Sequence, residues 1–314
     1  MKVLTATVAV ATLAASTALA DVITRTVTFE NEGATLSGTL YLPEDAASER
    51  LPVVVVTGAW TSVEEQMPSV YAREMVERGY AAFTFDFRGW GKSGDLEENV
   101  RYKEDPSAKI SDIRAAIAFV ATLPEIDKAQ INGLGICASS GYMVDAVSGN
   151  DLVNSVALVA PWLQNRELVE AVYGGDEGVE NLISLSRAAE ARGGEIIPAA
   201  GPEGASGVLM PIGGYYYDRQ RGAIDAYDNK WNQAGWEGWL TYYPADNPGR
   251  LDKPLVTVHS EAAAIPDGVR AFVKGLAGEA TQIWLEDVTQ FDFYDNPEDV
   301  RRAADVVADH FGKN

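Results

Sequence analysis

The feature that most constrains this chain is the alternation of short, continuous apolar runs with segments of helical periodicity. Pro52 to Val56, Ala81 to Asp86, Gln130 to Ile136, Val153 to Val159, Leu255 to Val258 and Thr281 to Leu285 each read as a strand. Unbroken Val/Ile/Leu runs mark strands covered on both faces, because a strand with one wet face would alternate. Three segments between and after them have helical spacing. One carries Val63, Met67, Val70, Tyr71 and Met75, with Ser62 and Glu65 predicting a capping box and Gly79 a stop. Asp105-Pro106 opens a second, with Ile110, Ile113, Ile117 and Val120 on one face, and Asn296-Pro297 opens the last, with Val300, Ala304, Val307 and Phe311. A further helix is expected from Cys137 onward. Ahead of all these, Val22 to Phe29 and Leu36 to Leu42 alternate in period two around Asn31-Glu32-Gly33 and read as an antiparallel hairpin. Strands alternating with helices predict an α/β fold with a mostly parallel central sheet covered by helices on both faces.

Two stretches fall outside that rhythm. Residues 161–250 are rich in Gly, Pro and aromatics, including Tyr215-Tyr216-Tyr217, Trp231, Trp236 and Trp239. That is too long for a loop in a compact domain and reads as a helical cap inserted into a core of residues 21–160 and 251–314. Residues 1–20 have a basic start at Lys2, an apolar run from Val3 to Leu19 and a small-x-small site at Ala18-Leu19-Ala20. They read as a secretory signal peptide, which predicts a secreted protein of an oxidising compartment such as a bacterial periplasm.

Counts of reactive side chains narrow the chemistry. The 314 residues include one cysteine and two histidines, His259 and His310. A single cysteine permits no internal disulfide, Cys-rich zinc site or thiolate-held cluster, and two histidines leave little for a His-based metal site; no cofactor or metal is expected. A net charge of −21 argues against nucleic acid and anionic membrane surfaces as partners and leaves a small molecule as the expected ligand. Oligomeric state is not encoded in any of these features.

The one cysteine sits in the most informative motif. Gly135-Ile136-Cys137-Ala138-Ser139 has the small-x-nucleophile-x-small pattern between a strand and a helix. Such a turn lifts the central side chain above the sheet, and small neighbours let it close. The Ala138 N–H then points at a developing oxyanion, and the helix start beneath Cys137 would favour a thiolate. A second oxyanion donor is expected from Thr57-Gly58-Ala59-Trp60, as the N–H of Ala59 or Trp60. A third signature, Phe85-Asp86-Phe87-Arg88-Gly89-Trp90-Gly91-Lys92-Ser93-Gly94, reads as a tight loop in which Asp86 and Arg88 are structural.

With these elements in this order, the chain resembles the α/β-hydrolase superfamily, and within it the dienelactone-hydrolase-like and Xaa-Pro-peptidase-like bacterial members. The resemblance implies a Ser or Cys nucleophile, an acid after the seventh strand and a histidine after the eighth; Cys137 matches the nucleophile of the dienelactone-hydrolase group. The other two positions depart from the pattern. The place of the acid, in His259-Ser260-Glu261-Ala262-Ala263-Ala264, falls at Ala263, and Gln290 in Thr289-Gln290-Phe291-Asp292-Phe293-Tyr294-Asp295 stands where the histidine belongs. Glutamine cannot take up a proton near neutral pH. His259, oriented by Glu261, is the candidate substitute base. Against it stands an ordinary strand-end histidine bonded to neighbouring backbone. His310 suits the C-terminal end of the last helix, and helix starts account for Glu65 and Glu104.

Three functions fit. The first is an atypical Cys-dependent hydrolase of an ester, thioester or lactone, with Gln290 positioning substrate or water. The second is a catalytically inactive pocket protein holding an apolar small molecule. The third is a thiol-based acyltransferase or lyase.

Overall fold

Residues 22–44, 50–94, 101–278 and 280–314 are described in the computed structural model. The expected signal peptide lies outside them. Among the described residues, no helix is long and apolar enough to cross a membrane.

The chain opens with β1 (Val22–Asn31) and β2 (Ala34–Pro43), paired antiparallel around the Glu32–Gly33 turn. β3 (Leu51–Thr57) leads to α1 (Met67–Glu77), β4 (Ala81–Phe85) to α2 (Pro106–Val120), and β5 (Ile126–Ile136) to α3 (Ser139–Val147). β6 (Val153–Val159) is followed by the insertion, which holds α4 (Arg166–Tyr173), α5 (Gly175–Ala191), a two-stranded ribbon of β7 (Ile196–Pro198) and β8 (Lys230–Asn232), and the short α6 (Trp236–Leu240). The core resumes with β9 (Leu255–Ser260), α7 (Pro266–Lys274), β10 (Ala280–Leu285), α8 (Asp292–Asp295) and α9 (Pro297–Phe311).

Eight strands form one sheet in the order β1-β2-β4-β3-β5-β6-β9-β10. Only the pairings of β2 with β1 and β4 are antiparallel; from β4 onward the sheet is parallel. Val53, Val54, Val55 and Val56 are fully buried, as their unbroken apolar run requires of a strand covered on both faces. In a parallel sheet of this kind the loops leaving the carboxyl ends of β3, β5, β9 and β10 gather along one edge, and ligands bind there.

One predicted element begins elsewhere. Ser62 and Glu65 do not cap α1, which starts at Met67 after Gln66 with Pro68 in its first turn. Ser62 Oγ instead donates to the Ala59 carbonyl at 2.7 Å, and the Val63 N–H donates to Gln66 Oε1 at 2.9 Å. Thr61 holds a positive φ of 61°. Residues 58–66 are thus spent on a closed turn at the sheet edge before the helix can begin.

The DFRGWGKSG loop is held by its own polar groups. Asp86 accepts from the backbone N–H of Glu64 at 2.8 Å and of Lys92 at 2.9 Å, while Arg88 is forked onto the buried Asp112. Gly91, at φ 49°, passes so close that a Cβ there would stand 2.2 Å from the Asp86 carboxylate. Both charged side chains are structural.

Candidate active site

The elbow forms at the end of β5. Cys137 has φ 57°, a left-handed conformation that costs a non-glycine residue energy and persists only where its surroundings over-determine it. They do so here through backbone bonds. Cys137 N–H donates to the Val159 carbonyl at 3.1 Å, and the Cys137 carbonyl accepts from Ser140 N–H at 3.1 Å and Trp162 N–H at 2.9 Å. Ser139 Oγ closes the turn against both N–H and carbonyl of Ile136. Gly135 explains the small flanking position: a Cβ on it would lie 2.8 Å from Ser140 Cα and 3.0 Å from the Ser139 carbonyl oxygen.

Two backbone N–H groups converge on the Cys137 sulfur, from Ala138 and from Trp60. Of the two donors expected from the β3 loop, Trp60 supplies the bond. The Ala59 carbonyl accepts from Ser62 Oγ at 2.7 Å and so holds the turn that carries Trp60. This pair is the geometry of an oxyanion hole, one donor from the residue after the nucleophile and one from the loop after the neighbouring strand.

The sulfur has two more polar neighbours, the Gln290 amide and the Tyr294 hydroxyl. Gln290 is fully engaged. Its Oε1 accepts from Ala264 N–H at 3.0 Å, and its Nε2 donates to the Ala160 carbonyl at 2.9 Å and to the Tyr294 hydroxyl at 3.0 Å. The glutamine therefore spans the loop after β9 and the nucleophile, as a histidine would, with an amide in place of a base. Tyr294 was not singled out from the sequence. The signal was the four-residue spacing from Gln290, which places both on one face of a helical turn.

Burial raises the Cys137 thiol above its usual range, with the surrounding donors pulling the other way. Desolvation thus works against the thiolate that the helix start favours. The expected substitute base is elsewhere too. His259 is buried inside β9, its Nε2 bonded to the Ala264 carbonyl at 3.1 Å and its ring 5.5 Å from that of Trp284. Desolvation lowers its pKa to about 4. Glu261 turns to solvent and pairs with Arg270 rather than orienting a histidine. His310 bonds the Pro254 carbonyl at 3.3 Å.

Cys137 opens into a cavity of about 310 Å³. Trp60, Trp162, Trp239, Tyr216 and Phe291 supply aromatic walls, Met210 and Ile212 close it from the insertion, and Ala262 and Ala264 line it beside Gln290. Ile212 is 53% exposed and marks the mouth. Among the described residues lining it there is no His, Asp, Glu, Lys or Arg. The polar groups at its floor are chiefly donors: two backbone N–H groups, a thiol and a phenol. Such a floor suits a carbonyl or carboxyl oxygen attached to an apolar body.

Glu64, Glu65 and Asp86 form the one acidic cluster with metal-ligand spacing among the described residues. All of their oxygens but Glu65 Oε2 already have a partner. Thr39 and Thr84 hydroxyls donate to Glu64, two backbone N–H groups to Asp86, and Lys92 pairs with Glu65. Burial raises Glu64 to about 7 and Asp86 to about 6. Glu104 is likewise structural, buried against Lys109 at 2.8 Å and accepting from the Tyr142 hydroxyl at 2.7 Å.

Strand order, elbow and paired N–H groups together decide the architecture. The chain is an α/β hydrolase by fold. The model of the dienelactone hydrolase family matches residues 36–172. PA2218 of Pseudomonas aeruginosa, an uncharacterized protein, is 38% identical over 133 residues, covering 42% of this chain and 35% of that protein. A thiohydrolase of Eupenicillium brefeldianum is 30% identical over 130 residues, covering 41% of this chain and 40% of the other. The chain therefore spans less than half the length of these curated relatives. Among solved structures, that of PA2218 superposes with TM-score 0.80 at 24% identity over 93% of this chain and 94% of its own. DcsB, solved with a substrate analogue, superposes with TM-score 0.75 at 17% identity over 93% and 99%. At such identities the superpositions speak for the hydrolase fold alone.

Proposed function

We propose that this α/β hydrolase is a Cys137-dependent acyl hydrolase acting on an ester, thioester or lactone with an apolar acyl group. The observation that carries the reading is the convergence of Ala138 and Trp60 N–H groups on the Cys137 sulfur at the floor of an aromatic cavity. A substrate carbonyl entering there meets both donors while its carbon faces sulfur. As the C–S bond forms, charge collects on the oxygen, and each preorganised donor is worth about 10²–10³ in rate. A thiol tolerates the loss of a histidine better than a serine would, being intrinsically the stronger nucleophile.

The test uses p-nitrophenyl and alkyl esters with aromatic acyl groups, followed by release of product and by intact mass. Wild type should acylate on Cys137 and turn over, and Cys137→Ala should do neither. An alanine variant as active as wild type would sink the proposal. No acylation at all would favour the inactive pocket protein.

A second reading has its own support in the missing base. Among the described cavity residues there is no histidine or carboxylate to activate water, so an added alcohol or amine can compete with water for the acyl group. Product partition with a competing alcohol distinguishes transfer from hydrolysis. We also propose secretion to a periplasm on the strength of residues 1–20. Protein recovered from a periplasmic extract should begin at Asp21; a chain beginning at Met1 in that fraction would refute cleavage.

A further inference from the structure

We propose that Tyr294 is the proton-transfer residue of this site and that Gln290 positions it, an inference that rests on the Cys137 acyl-hydrolase reading. Tyr294 lies on α8, 1% exposed, with its hydroxyl at the cavity floor. Its oxygen receives Gln290 Nε2–H at 3.0 Å, and its hydroxyl stands beside the Cys137 sulfur. The amide takes one lone pair of that oxygen, so a second lone pair and the tyrosine's own hydrogen are left to face the Cys137 sulfur and a leaving atom. Gln290 cannot turn its amide around. Oε1 faces the Ala264 N–H and Nε2 faces the Ala160 carbonyl, so a flip would set donor against donor and acceptor against acceptor. The ring is fixed as well, edge-on to Tyr215 at 5.2 Å and 5.7 Å from Phe291. Cavity hydroxyls also come from Tyr216 and Thr289, but it is Tyr294 that touches the reacting sulfur.

The step balances without a base. The substrate carbonyl oxygen takes the Ala138 and Trp60 N–H groups, and its leaving oxygen or sulfur comes against the Tyr294 hydroxyl. The C–S bond forms as the thiol proton moves to Tyr294 Oη and the hydroxyl's own proton moves to the leaving atom, whose bond to carbon breaks. The products are a Cys137 thioester and a free alcohol or thiol. Water reverses the transfer: it adds to the thioester carbon, gives a proton to Tyr294 Oη, and the tyrosine's proton returns to sulfur, releasing a carboxylic acid. Tyr294 is a neutral phenol before and after each step. That suits a group whose burial sets its ionisation well above the ordinary range, where a lasting phenolate would be disfavoured. A relay of this kind asks for a hydroxyl that can donate and accept, which neither the Gln290 amide nor the buried His259 offers.

The test is the dependence on the leaving group. A p-nitrophenolate departs without a proton, whereas an alkoxide does not. With one aromatic acyl group presented as p-nitrophenyl ester and as ethyl ester, Tyr294→Phe should slow single-turnover acylation by the ethyl ester about 10²–10³-fold and by the p-nitrophenyl ester less than about tenfold. Equal losses on both esters, or none on either, would overturn the relay while leaving Cys137 as nucleophile. No Cys137-dependent acylation by wild type with either ester would overturn the hydrolase reading itself, and the relay with it. Should Tyr294→Phe fail to fold, the proton inventory of wild type on the ethyl ester decides: two protons in flight support the relay, and one excludes it.

Discussion

At the scale of single residues, the site turns on what faces position 290. The Ala264 N–H donates to whatever acceptor stands there. An imidazole in that place would present its unprotonated nitrogen to Ala264 and its N–H to the sulfur, the wrong tautomer for a base. Gln290→His alone should therefore raise kcat/KM for a p-nitrophenyl ester by less than about threefold, since a misassigned tautomer forfeits most of a triad's worth. Adding Ala263→Asp supplies an acceptor that reverses the tautomer, and the double variant should gain on the order of tenfold or more. A large gain from the single substitution would show that Ala264 does not dictate the tautomer. His259 makes a different prediction. Its folded pKa of about 4 lies below the ordinary 6.5, so between those values the unfolded chain binds the extra proton. Stability should then fall as pH drops from about 6.5 to about 4, by on the order of 3 kcal/mol at most from this residue. Glu64 and Asp86 act in the opposite sense, because their raised values let the folded chain hold protons longer. Urea titrations of wild type and His259→Gln at pH 4.5 and 7 isolate the histidine. The variant should lose less stability on acidification, and parallel losses would refute the assignment.

Among elements, the elbow depends on α3 approaching β5 over a residue without a side chain. Gly135→Ala brings a methyl within 2.8 Å of Ser140 Cα, a backbone atom that cannot swing aside. A cost of about 1–3 kcal/mol is expected in denaturant midpoints, typical of overpacking a filled interior. Less than about 0.5 kcal/mol would mean that α3 is free to retreat. The same elements mark how far the sequence could be read. Buried parallel strands are legible because both faces demand apolar residues, and Cys137 is legible because a strained turn tolerates so few neighbours. The start of α1 is not. Ser62 and Glu65 carry the cap pattern, but Ser62 is bonded to Ala59 within the turn that presents Trp60 to the sulfur, a tertiary demand no local pattern contains. Tyr294 escaped notice for a related reason. Apart from its four-residue spacing from Gln290, nothing local distinguishes it from any buried tyrosine; its meaning comes from β5, β6 and the loop after β9 meeting beside it.

Across the whole molecule, Trp60 joins the core to the insertion. Its backbone N–H serves the sulfur, and its ring stacks on Trp239 at 4.7 Å and meets Trp231 and Trp236 edge-on at 4.9 and 5.9 Å. Gln66 adds a bond to the Gly222 carbonyl at 2.7 Å and Thr61 one to the Tyr227 hydroxyl at 3.1 Å. Trp60→Ala should loosen the insertion and cost ~3 kcal/mol, as for other large aromatic truncations. Limited proteolysis should then cut first within residues 161–250, with loss of the near-ultraviolet dichroism of the stacked indoles; protection equal to wild type would show that the insertion docks without it. The enclosure that this docking produces also governs which reagents can find the cysteine. A thiol 7% exposed beneath aromatic walls is a slow target for small alkylating probes, which seek free thiolates. Surveys of cysteine reactivity by such probes would pass this protein over as inert. A flat, uncharged carbonyl electrophile that fits the cavity would be recognised by the two N–H groups before it reacted, so chemical detection here is selected by shape and oxygen rather than by nucleophilicity.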